Sequence, residues 1–435
     1  MFKIKHSSRN ITAYGGLNFI HDAIRRSGIK TFIGQQLGRR GMGAKYSRSD
    51  IVLSLLSNCL VQGEYIADLQ WLKKKFSNQL FTQIPSPDTV EYACKELRTP
   101  TEKRTEIPLT GKGKGIPVHH EINYANDMNK SLIGLAIKSK QLKNSEWHYT
   151  LDFDNIVVAT EKQDAKKSYK GHKGYQPNVS FIGRVPVHIE NRNGNTPASF
   201  EQEKSLQRCF DNLEAAGIRV ESFRGDAASY QKEAVDTVAK YVRYFYIRQE
   251  NFEGFRAQCG RAQGWETIRA GTEEKEVASI LYPSLGGGQE YRIVVTRTLK
   301  KDGQFDLESG TAYHYYGILT NNKDFTNKEV IAFYNQRGDA ENSNRFLLND
   351  FNWRRLPFPD MDANTVYMYL MAMCATLFEW IKDVLASNKT ASVTKTMRIK
   401  AFCFHYVSAA SEFVAHARQK ILRVFSTRPY CCLQI

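Results

Sequence analysis

The sequence predicts an α/β protein, and two stretches carry that prediction. Residues 219–226 form a β-prone run that stops at a glycine and an aspartate, a helical stretch follows, and residues 242–247 are again β-prone. This order is typical of a strand–helix–strand unit with parallel strands. Earlier in the chain, residues 147–154 alternate apolar and polar side chains, as a strand with one buried face does. We therefore expect a mixed sheet flanked by helices.

Residues 1–98 are predicted to form a helical N-terminal region that binds DNA. Apolar side chains recur at helical spacing in residues 20–26, 49–62 and 67–76. Ser86 followed by Pro87 is a favourable helix start. The helices around residues 77–86 fit either a helix-turn-helix or a plain helical bundle. Residues 99–118 are expected to be a flexible basic linker, which either contacts phosphates or is a solvated loop.

Two aspartate motifs end predicted strands. Asp152 and Asp154 share the polar face of the first strand, which is unusual because aspartate disfavours strands. A strand end that runs into an Asp-rich turn is the simpler alternative. Asp226 follows Gly225 at the carboxyl end of a second strand, where open α/β sheets place their sites. The simpler alternative for Asp226 is an N-cap of the next helix.

A third motif combines a tyrosine, an arginine and a glutamate. Tyr334 and Arg337 are three residues apart, and Arg337 and Glu341 are four apart, so a helix would carry all three on one face. Such a face suits a phosphate held beside a metal-binding carboxylate better than it suits a core. An exposed helix with one ion pair is the simpler interpretation.

In this order, the three motifs resemble those of insertion-sequence transposases of the DDE superfamily, which have an RNase H-like catalytic core. The chain resembles insertion-sequence family 1380 in particular, over about residues 145–390. The resemblance implies a DNA transposase that binds terminal inverted repeats, cleaves the element ends and transfers the freed 3′-hydroxyl to target DNA. An RNase H-like nuclease without strand transfer and a non-catalytic repressor derived from a transposase are the alternatives.

The resemblance also implies two Mg²⁺ (or Mn²⁺) ions, because this chemistry is a displacement at phosphorus that uses carboxylate-bound metals. The metal ligands and catalytic residues would be the first aspartate, Asp226 and Glu341. Asp154 is favoured as the first aspartate, although alternation along the strand does not separate it from Asp152.

Further residues are expected to contact DNA. Arg337 would grip a phosphate near the cut, and Tyr334 would bond a phosphate or stack on a displaced base. Relatives often carry a lysine seven residues after the glutamate; here that residue is Leu348, so the contact is missing or Arg345 supplies it. Four lysines either follow the DNA backbone or form a solvated charge run: Lys166, Lys167, Lys170 and Lys173. A displaced base could also be supported by Trp353, Arg354 and Arg355.

The spacing of the acidic motifs predicts an insertion. Asp226 lies 72 residues after Asp154, but Glu341 lies 115 residues after Asp226, which is more than one helix and one strand require. Because residues 291–296 and 313–319 are β-prone, we expect a β-rich insertion at 252–322. The remaining segments are the two parts of the catalytic core and a C-terminal helical region: 119–251, 323–390 and 391–435.

Composition agrees with a nucleic-acid partner. The 435 residues carry 61 Lys and Arg against 45 Asp and Glu, a net charge of +16. The eight cysteines have no zinc spacing and no signal peptide opens the chain, so we expect a cytoplasmic protein. The resemblance to insertion-sequence transposases implies that it is bacterial and nucleoid-associated. Glu379 and Lys382 interrupt an apolar stretch at 366–384, which favours a buried helix and no membrane contact. Two element ends must meet, so a homodimer is expected at synapsis.

Overall fold

The computed structural model describes most of the chain: residues 9, 11–76, 83–108, 114–144, 148–270, 273–282, 285, 291–300, 312–387, 393–416 and 419–426. Its α-helices are α1 (Gly16–Arg26), α2 (Ile29–Leu37), α3 (Arg48–Leu60), α4 (Asp68–Lys75), α5 (Pro87–Glu96), α6 (Asn126–Lys138), α7 (Gln202–Ala215), α8 (Lys232–Tyr241), α9 (Glu253–Arg261), α10 (Asn327–Asn335), α11 (Gly338–Asn349), α12 (Met361–Ser387) and α13 (Ile399–Phe402).

The strands are β1 (Glu102–Glu106), β2 (Val118–Asn123), β3 (Tyr149–Asn155), β4 (Val158–Ala159), β5 (Lys166–Lys167), β6 (Lys173–Tyr175), β7 (Asn178–Ile182), β8 (Val185–Arg192), β9 (Val220–Gly225), β10 (Tyr244–Arg248), β11 (Glu266–Ala270), β12 (Glu273–Tyr282), β13 (Tyr291–Leu299), β14 (Tyr313–Thr320), β15 (Ala410–His416) and β16 (Gln419–Phe425).

One large mixed sheet organises the described residues. Its strand order is β1-β2-β8-β7-β3-β9-β10-β14-β13-β12-β11. At its centre β7 and β8 run antiparallel in succession from β3, while β9 and β10 run parallel to β3. Helix α7 connects β8 to β9, and α8 connects β9 to β10. The parallel pairing brings the carboxyl ends of β3 and β9 to the same edge of the sheet.

The two faces of β3 serve different purposes. Leu151 and Phe153 are fully buried in a core that includes Leu206 of α7 and Val235 of α8. Asp152 and its neighbours of even number point to the other face, because side chains alternate along a strand. Helices α10 and α11 lie on that second face, since Arg337 between them reaches the carbonyl oxygen of Phe153.

The N-terminal helices share a core with the long helix α12. Leu53 and Leu56 of α3 belong to the same buried cluster as Met371 and Phe378 of α12. Ser47 begins α3 through a capping box, in which its side chain accepts from the Asp50 backbone N–H. Residues 77–82, where a helix-turn-helix connection would fall, lie outside the described residues.

Helix α12 contains the apolar stretch noted in the sequence. Lys382 is buried there and pairs with Glu379 at 2.7 Å, so the two charges that interrupt the stretch neutralise each other inside the protein. In the described part of the chain, no helix combines the length and the apolar character that spanning a bilayer requires.

The strands at 252–322 extend the central sheet. β14 pairs antiparallel with β10, and β13, β12 and β11 follow it outward. The segment also contains the helix α9. The sheet therefore continues through this part of the chain without a break at β10.

Two sequence expectations need correction. Part of the expected linker is the edge strand β1, which pairs antiparallel with β2; residues 109–113 lie outside the described residues. Edge strands often carry charged side chains, which discourage pairing with another chain. The sequence of β1 is therefore as charged as that of a linker. Among its described residues, the C-terminal region is helical in α13 and in the π-helical turn Cys403–Val407, and residues 410–425 contribute the strands of the hairpin β15–β16. That hairpin is anchored to the N-terminus, where Thr12 bridges Ser411.

Candidate active site

Asp154, near the end of β3, and Asp226, the residue after β9, lie at the carboxyl ends of neighbouring parallel strands. The last residue pair between these strands is Asp152 with Arg224, two residues before each aspartate. Burial raises the pKa of Asp226, and the charge of Asp154 raises it further, while the charge of Arg337 lowers it. These effects show that the two carboxylates and the guanidinium are within electrostatic reach of one another. Asp226 also caps a short helical turn, since its Oδ1 accepts from the Ala228 N–H at 3.0 Å.

Asp152 forms its ion pair with Arg224. Arg224 donates to both of its carboxylate oxygens, each at 2.7 Å, in a buried bidentate pair. Burial raises the pKa of Asp152, and the pair with Arg224 opposes that rise. Arg224 also donates to the Phe333 carbonyl oxygen at 2.9 Å, so it ties β9 to α10. Asp152 therefore holds the sheet and α10 together, and Asp154 is the better candidate for the first catalytic aspartate.

Asp154 is held by two residues that follow α10. Arg337 Nη2 lies 3.1 Å from Asp154 Oδ1, and the same nitrogen donates to the Phe153 carbonyl oxygen at 3.2 Å. The amide of Asn344 donates to Asp154 Oδ2. The Arg337 Nε atom is buried and has no hydrogen-bond partner in the described structure. The arginine that was expected to grip a phosphate therefore binds the protein through Nη2, at Asp154 and at the chain of β3.

The expectation of one continuous helix through the third motif was wrong. Tyr334 belongs to α10, Glu341 belongs to α11, and Arg337 lies at the junction. The Arg337 N–H donates to the Tyr334 carbonyl oxygen at 2.8 Å, which tightens the chain into a turn just before Gly338. Glycine is a poor helix former, so the sequence permits the break at this point.

Tyr334 faces inward instead of toward a phosphate or a base. Its side chain is buried, and its hydroxyl donates to the Gly225 carbonyl oxygen at 3.1 Å, one residue before Asp226. Burial raises the pKa of Tyr334, so the hydroxyl keeps its proton at neutral pH. The tyrosine fixes α10 to the end of β9 and thereby positions Asp226.

Glu341 is exposed on the first turn of α11. Burial is the main cause that raises the pKa of Tyr316, and the charge of Glu341 raises it further. The ring of Tyr316 packs edge-on against Tyr334. Among the described residues, no three carboxylate, histidine or cysteine groups are close enough to hold a metal ion. The structure therefore brings together two of the three expected carboxylates, Asp154 and Asp226, and leaves Glu341 exposed on α11.

The expected DNA-contacting residues fall into three groups. Arg345 is exposed on α11, one turn beyond Glu341. Lys166 pairs with Glu121 at 3.2 Å. The other three lysines are exposed: Lys167 and Lys173 on the small sheet β4-β6-β5, and Lys170 in the turn between β5 and β6. Trp353 is fully buried, so it packs in the core and does not support a base. Arg354 is exposed, and Arg355 pairs with Glu64 at 2.7 Å.

The carboxylate pair suits a divalent metal. Magnesium prefers hard oxygen ligands and needs only a few carboxylates besides water and substrate oxygens. Burial and mutual repulsion favour a proton on Asp226, and a cation would relieve the same repulsion. Asp154 and Asp226 thus fit the expected ion, whereas Glu341 does not complete a group of three carboxylates with them in the described part of the chain.

Sequence reasoning missed Asn344 and Arg224. Asn344 lies three residues after Glu341 and seven after Arg337, so it shares their helix face and could have been found by that spacing. Arg224 immediately precedes the glycine and aspartate of the second motif, but its partner on β3 is 72 residues away. No local pattern reveals that partner.

Comparison with known proteins defines the class of this chain as a DDE transposase. The family model "Transposase DDE domain group 1" matches residues 2–433, and the chain belongs to this family. Members of the class are enzymes that cleave and transfer DNA, generally with divalent metal ions. The resemblance to DDE transposases is thereby confirmed, while the resemblance to insertion-sequence family 1380 stays a prediction.

The chain was also compared with solved structures and with curated proteins. The fold is similar to that of piggyBac transposase in a synaptic complex with hairpin DNA, with a TM-score of 0.45 and 9% identity over 90% of this chain and 77% of that one. No curated protein matches the chain in sequence.

Proposed function

We propose that this protein is the transposase of an insertion sequence related to family 1380. It binds the terminal inverted repeats, cleaves the DNA at the element ends and transfers the freed 3′-hydroxyl to target DNA. The observation that carries the proposal is the convergence of Asp154 and Asp226 at the carboxyl ends of neighbouring parallel strands, with Arg337 beside them. Open α/β sheets commonly hold their sites at such an edge.

The strand order supports an RNase H-like core. Three antiparallel strands (β8, β7 and β3) continue into two parallel ones (β9 and β10), with helices α7 and α8 in the crossovers. The catalytic segments would be 119–251 and 323–390, with the strands of 252–322 inserted between them. This division assigns both aspartates to the first segment and Arg337 and Glu341 to the second.

Asp154, Asp226 and Glu341 would hold two Mg²⁺ (or Mn²⁺) ions. When bound, the ions activate the attacking oxygen and stabilise the leaving oxygen of an in-line displacement at phosphorus. Arg337 orients Asp154 through Nη2 and would place its positive charge next to a phosphate held at the carboxylates. Tyr334 holds the end of β9, so that Asp226 is presented in a fixed position.

DNA would be held by the basic surface around this edge. The exposed residues Lys167, Lys170, Lys173 and Arg345 could neutralise backbone phosphates, and the net charge of +16 favours a polyanionic partner. The helical region 1–98 is proposed to bind the terminal repeats, and a homodimer is proposed to hold two ends together.

A cleavage assay tests the proposal. The full chain is incubated with Mg²⁺, a supercoiled plasmid and a duplex that carries the element end, taken from the DNA flanking the gene. We expect cleavage at the element end and duplexes joined to the plasmid. Asp154→Asn, Asp226→Asn and Glu341→Gln should bind the duplex as the wild type does but fail to cut it.

Glu233→Gln is the matched control, because Glu233 is an exposed carboxylate seven residues from Asp226. It should cleave and join normally. Full cleavage by the three site variants would refute the catalytic assignment. Cleavage without any joined product would support a nuclease, and end binding without cleavage by the wild type would support a repressor.

A further inference from the structure

The loop between α2 and α3 (residues 38–46) carries the most exposed large apolar side chain in the described part of the chain. Met42 has a relative accessibility of 107%, against 74% for Tyr169, the next in order. Proteins do expose single apolar side chains, so exposure alone gives Met42 no role. The shape and the charge of the loop around it point to a ligand.

Met42 lies in a tight turn that projects into solvent. The Ala44 N–H donates to the Gly41 carbonyl oxygen at 3.2 Å, and Gly43 has a φ of +88°. A positive φ at the third of four residues is typical of a type II turn, and glycine adopts it without strain. A Cβ on Gly41 or Gly43 would meet no other atom within 4 Å, so this part of the loop stands clear of the rest of the described protein.

The base of the loop is fixed to α5. Arg40 donates to both carboxylate oxygens of Glu96, from Nε at 2.9 Å and from Nη2 at 3.3 Å. Its Nη1 donates to the Tyr46 carbonyl oxygen at 3.4 Å, which joins the two ends of the loop. The Arg40 side chain is only 7% exposed. The turn is therefore held in place before any ligand arrives, which lowers the entropy that binding would cost.

Each arm of the loop carries an exposed cation. Arg39 precedes the turn and Lys45 follows it. The carboxylates at the base of the loop are already paired, Glu96 with Arg40 and Asp50 with Lys30. The tip of the loop thus presents positive charge on both sides of one apolar side chain.

A narrow, positively charged turn with one unbranched apolar side chain suits the minor groove of DNA. That groove is about 6 Å wide, whereas the major groove, about 12 Å wide, admits a whole helix. Arginine and lysine are attracted by the negative potential of a narrow A·T-rich minor groove. Methionine is one of the apolar side chains that proteins insert between base pairs from this groove, which kinks the duplex. An acidic protein surface would pair with the cations but would leave the apolar tip without a partner.

We propose that the loop at 38–46 enters the minor groove of the element end and kinks the DNA there. Arg39 and Lys45 contact the phosphates on the two sides of the groove, and Met42 wedges into one base step. The proposal rests on the proposed transposase function, since the ligand is the DNA of the element itself. It adds to that function a bend at a fixed place and a preference for A·T pairs at the bend.

A base analogue that alters only the minor groove tests the contact. The analogue 2,6-diaminopurine, in place of adenine, adds an amino group in that groove and leaves the major-groove edge unchanged. Full-length protein is titrated with element-end duplexes substituted at one pair at a time, with Ca²⁺ in place of Mg²⁺. The wild type should bind about tenfold more weakly when the substituted pair lies at the kink. Arg39→Ala combined with Met42→Ala should weaken binding of the unmodified duplex, and the analogue should then add nothing.

The kink itself is measured by energy transfer between dyes on the two ends of the duplex. The wild type should bring the ends closer together, Met42→Ala should lose most of this bend, and Met42→Leu, which keeps an apolar wedge, should retain it. Leu299→Ala is the matched control, because Leu299 is an exposed apolar residue, 64% accessible, on β13. It should bend DNA as the wild type does. Met42 is fully exposed, so its replacement should leave the Tm unchanged.

Equal bending by the wild type and Met42→Ala would overturn the proposal, and so would loop variants that bind DNA more weakly but remain as sensitive to diaminopurine as the wild type. In either case, wild-type cleavage of element ends in Mg²⁺ would leave the transposase function intact. A wild type that neither binds nor cuts element ends would overturn both.

Discussion

Arg337 lies 3.1 Å from Asp154, and its charge lowers the pKa of Asp226, so a single guanidinium contacts one aspartate and stabilises the charged form of the other. The arginine comes from the junction of α10 and α11, far along the chain from both aspartates. Its charge opposes the rise in the pKa of Asp226 that burial and the charge of Asp154 cause.

Replacing Arg337 with glutamine should move the pH dependence of cleavage. Loss of its charge raises the pKa of Asp226, so the acidic limb of the rate profile should shift to higher pH. We also expect cleavage at neutral pH to fall on the order of 100-fold, as for other preorganised donors. Single-turnover rates measured from pH 5 upward, together with duplex binding, check both effects. An unshifted limb would show that Arg337 does not act through the carboxylates.

Asp226 should weaken the fold at neutral pH. Its pKa is raised in the folded protein, first by burial and then by Asp154, so the folded state binds that proton more tightly than the unfolded state does. Stability contributed by this group is present below the unfolded pKa of about 3.9 and is lost as the pH rises through the folded value. Asp226→Asn should therefore unfold at a higher urea concentration than the wild type at pH 7, and the difference should shrink toward pH 4.

Magnesium should make the wild type more stable to urea than Asp226→Asn at pH 7. A metal that binds only the folded protein stabilises it by about 2.7 kcal/mol at a concentration a hundredfold above its dissociation constant. Wild-type protein should gain stability on addition of Mg²⁺ and lose it with a chelator, whereas Asp226→Asn should respond to neither. An equal response of both proteins to Mg²⁺ would indicate that the ion binds elsewhere.

The sequence predicts the parts of this site that depend on local pattern. Asp226 was found because a β-prone run, a glycine and a helix succeed one another, and Asp154 because the side chains of its strand alternate. The pairing of Asp152 with Arg224 was not predictable, since it depends on a register between strands 72 residues apart. For the same reason alternation alone could not separate Asp152 from Asp154.

The sequence also did not predict which of these side chains point into the protein and which point to solvent. Tyr334, Arg337 and Trp353 are residue types that also contact DNA, but all three are buried here. The burial of Tyr334 and Arg337 depends on how α10 and α11 pack on the sheet, whereas Trp353 packs in the core that the N-terminal helices share with α12. The C-terminal hairpin was missed because its strand β15 packs against the first residues of the chain.

Tyr334→Phe distinguishes a positioning role from a DNA contact. The substitution removes only the hydroxyl that donates to the Gly225 carbonyl oxygen, so the free energy of unfolding should fall by about 1 kcal/mol. Cleavage should slow because the end of β9 loosens, while binding of the element end should be unchanged. Urea unfolding and fluorescence anisotropy measure the two quantities. Weaker DNA binding at unaltered stability would instead support the contact expected from the sequence.

The buried pair of Asp152 and Arg224 should matter for folding and not for chemistry. Asp152→Asn leaves Arg224 with a buried, uncompensated charge, which typically costs about 3–5 kcal/mol. Asp152→Leu combined with Arg224→Met removes both charges, so most of the lost stability should return, less the bond from Arg224 to Phe333. If Asp154 is the first catalytic aspartate, this double variant should cleave element ends within about tenfold of the wild type. Asp154→Asn, in contrast, should remain folded and fail to cleave. A double variant that unfolds as cooperatively as the wild type yet cannot cut DNA would transfer the catalytic role to Asp152.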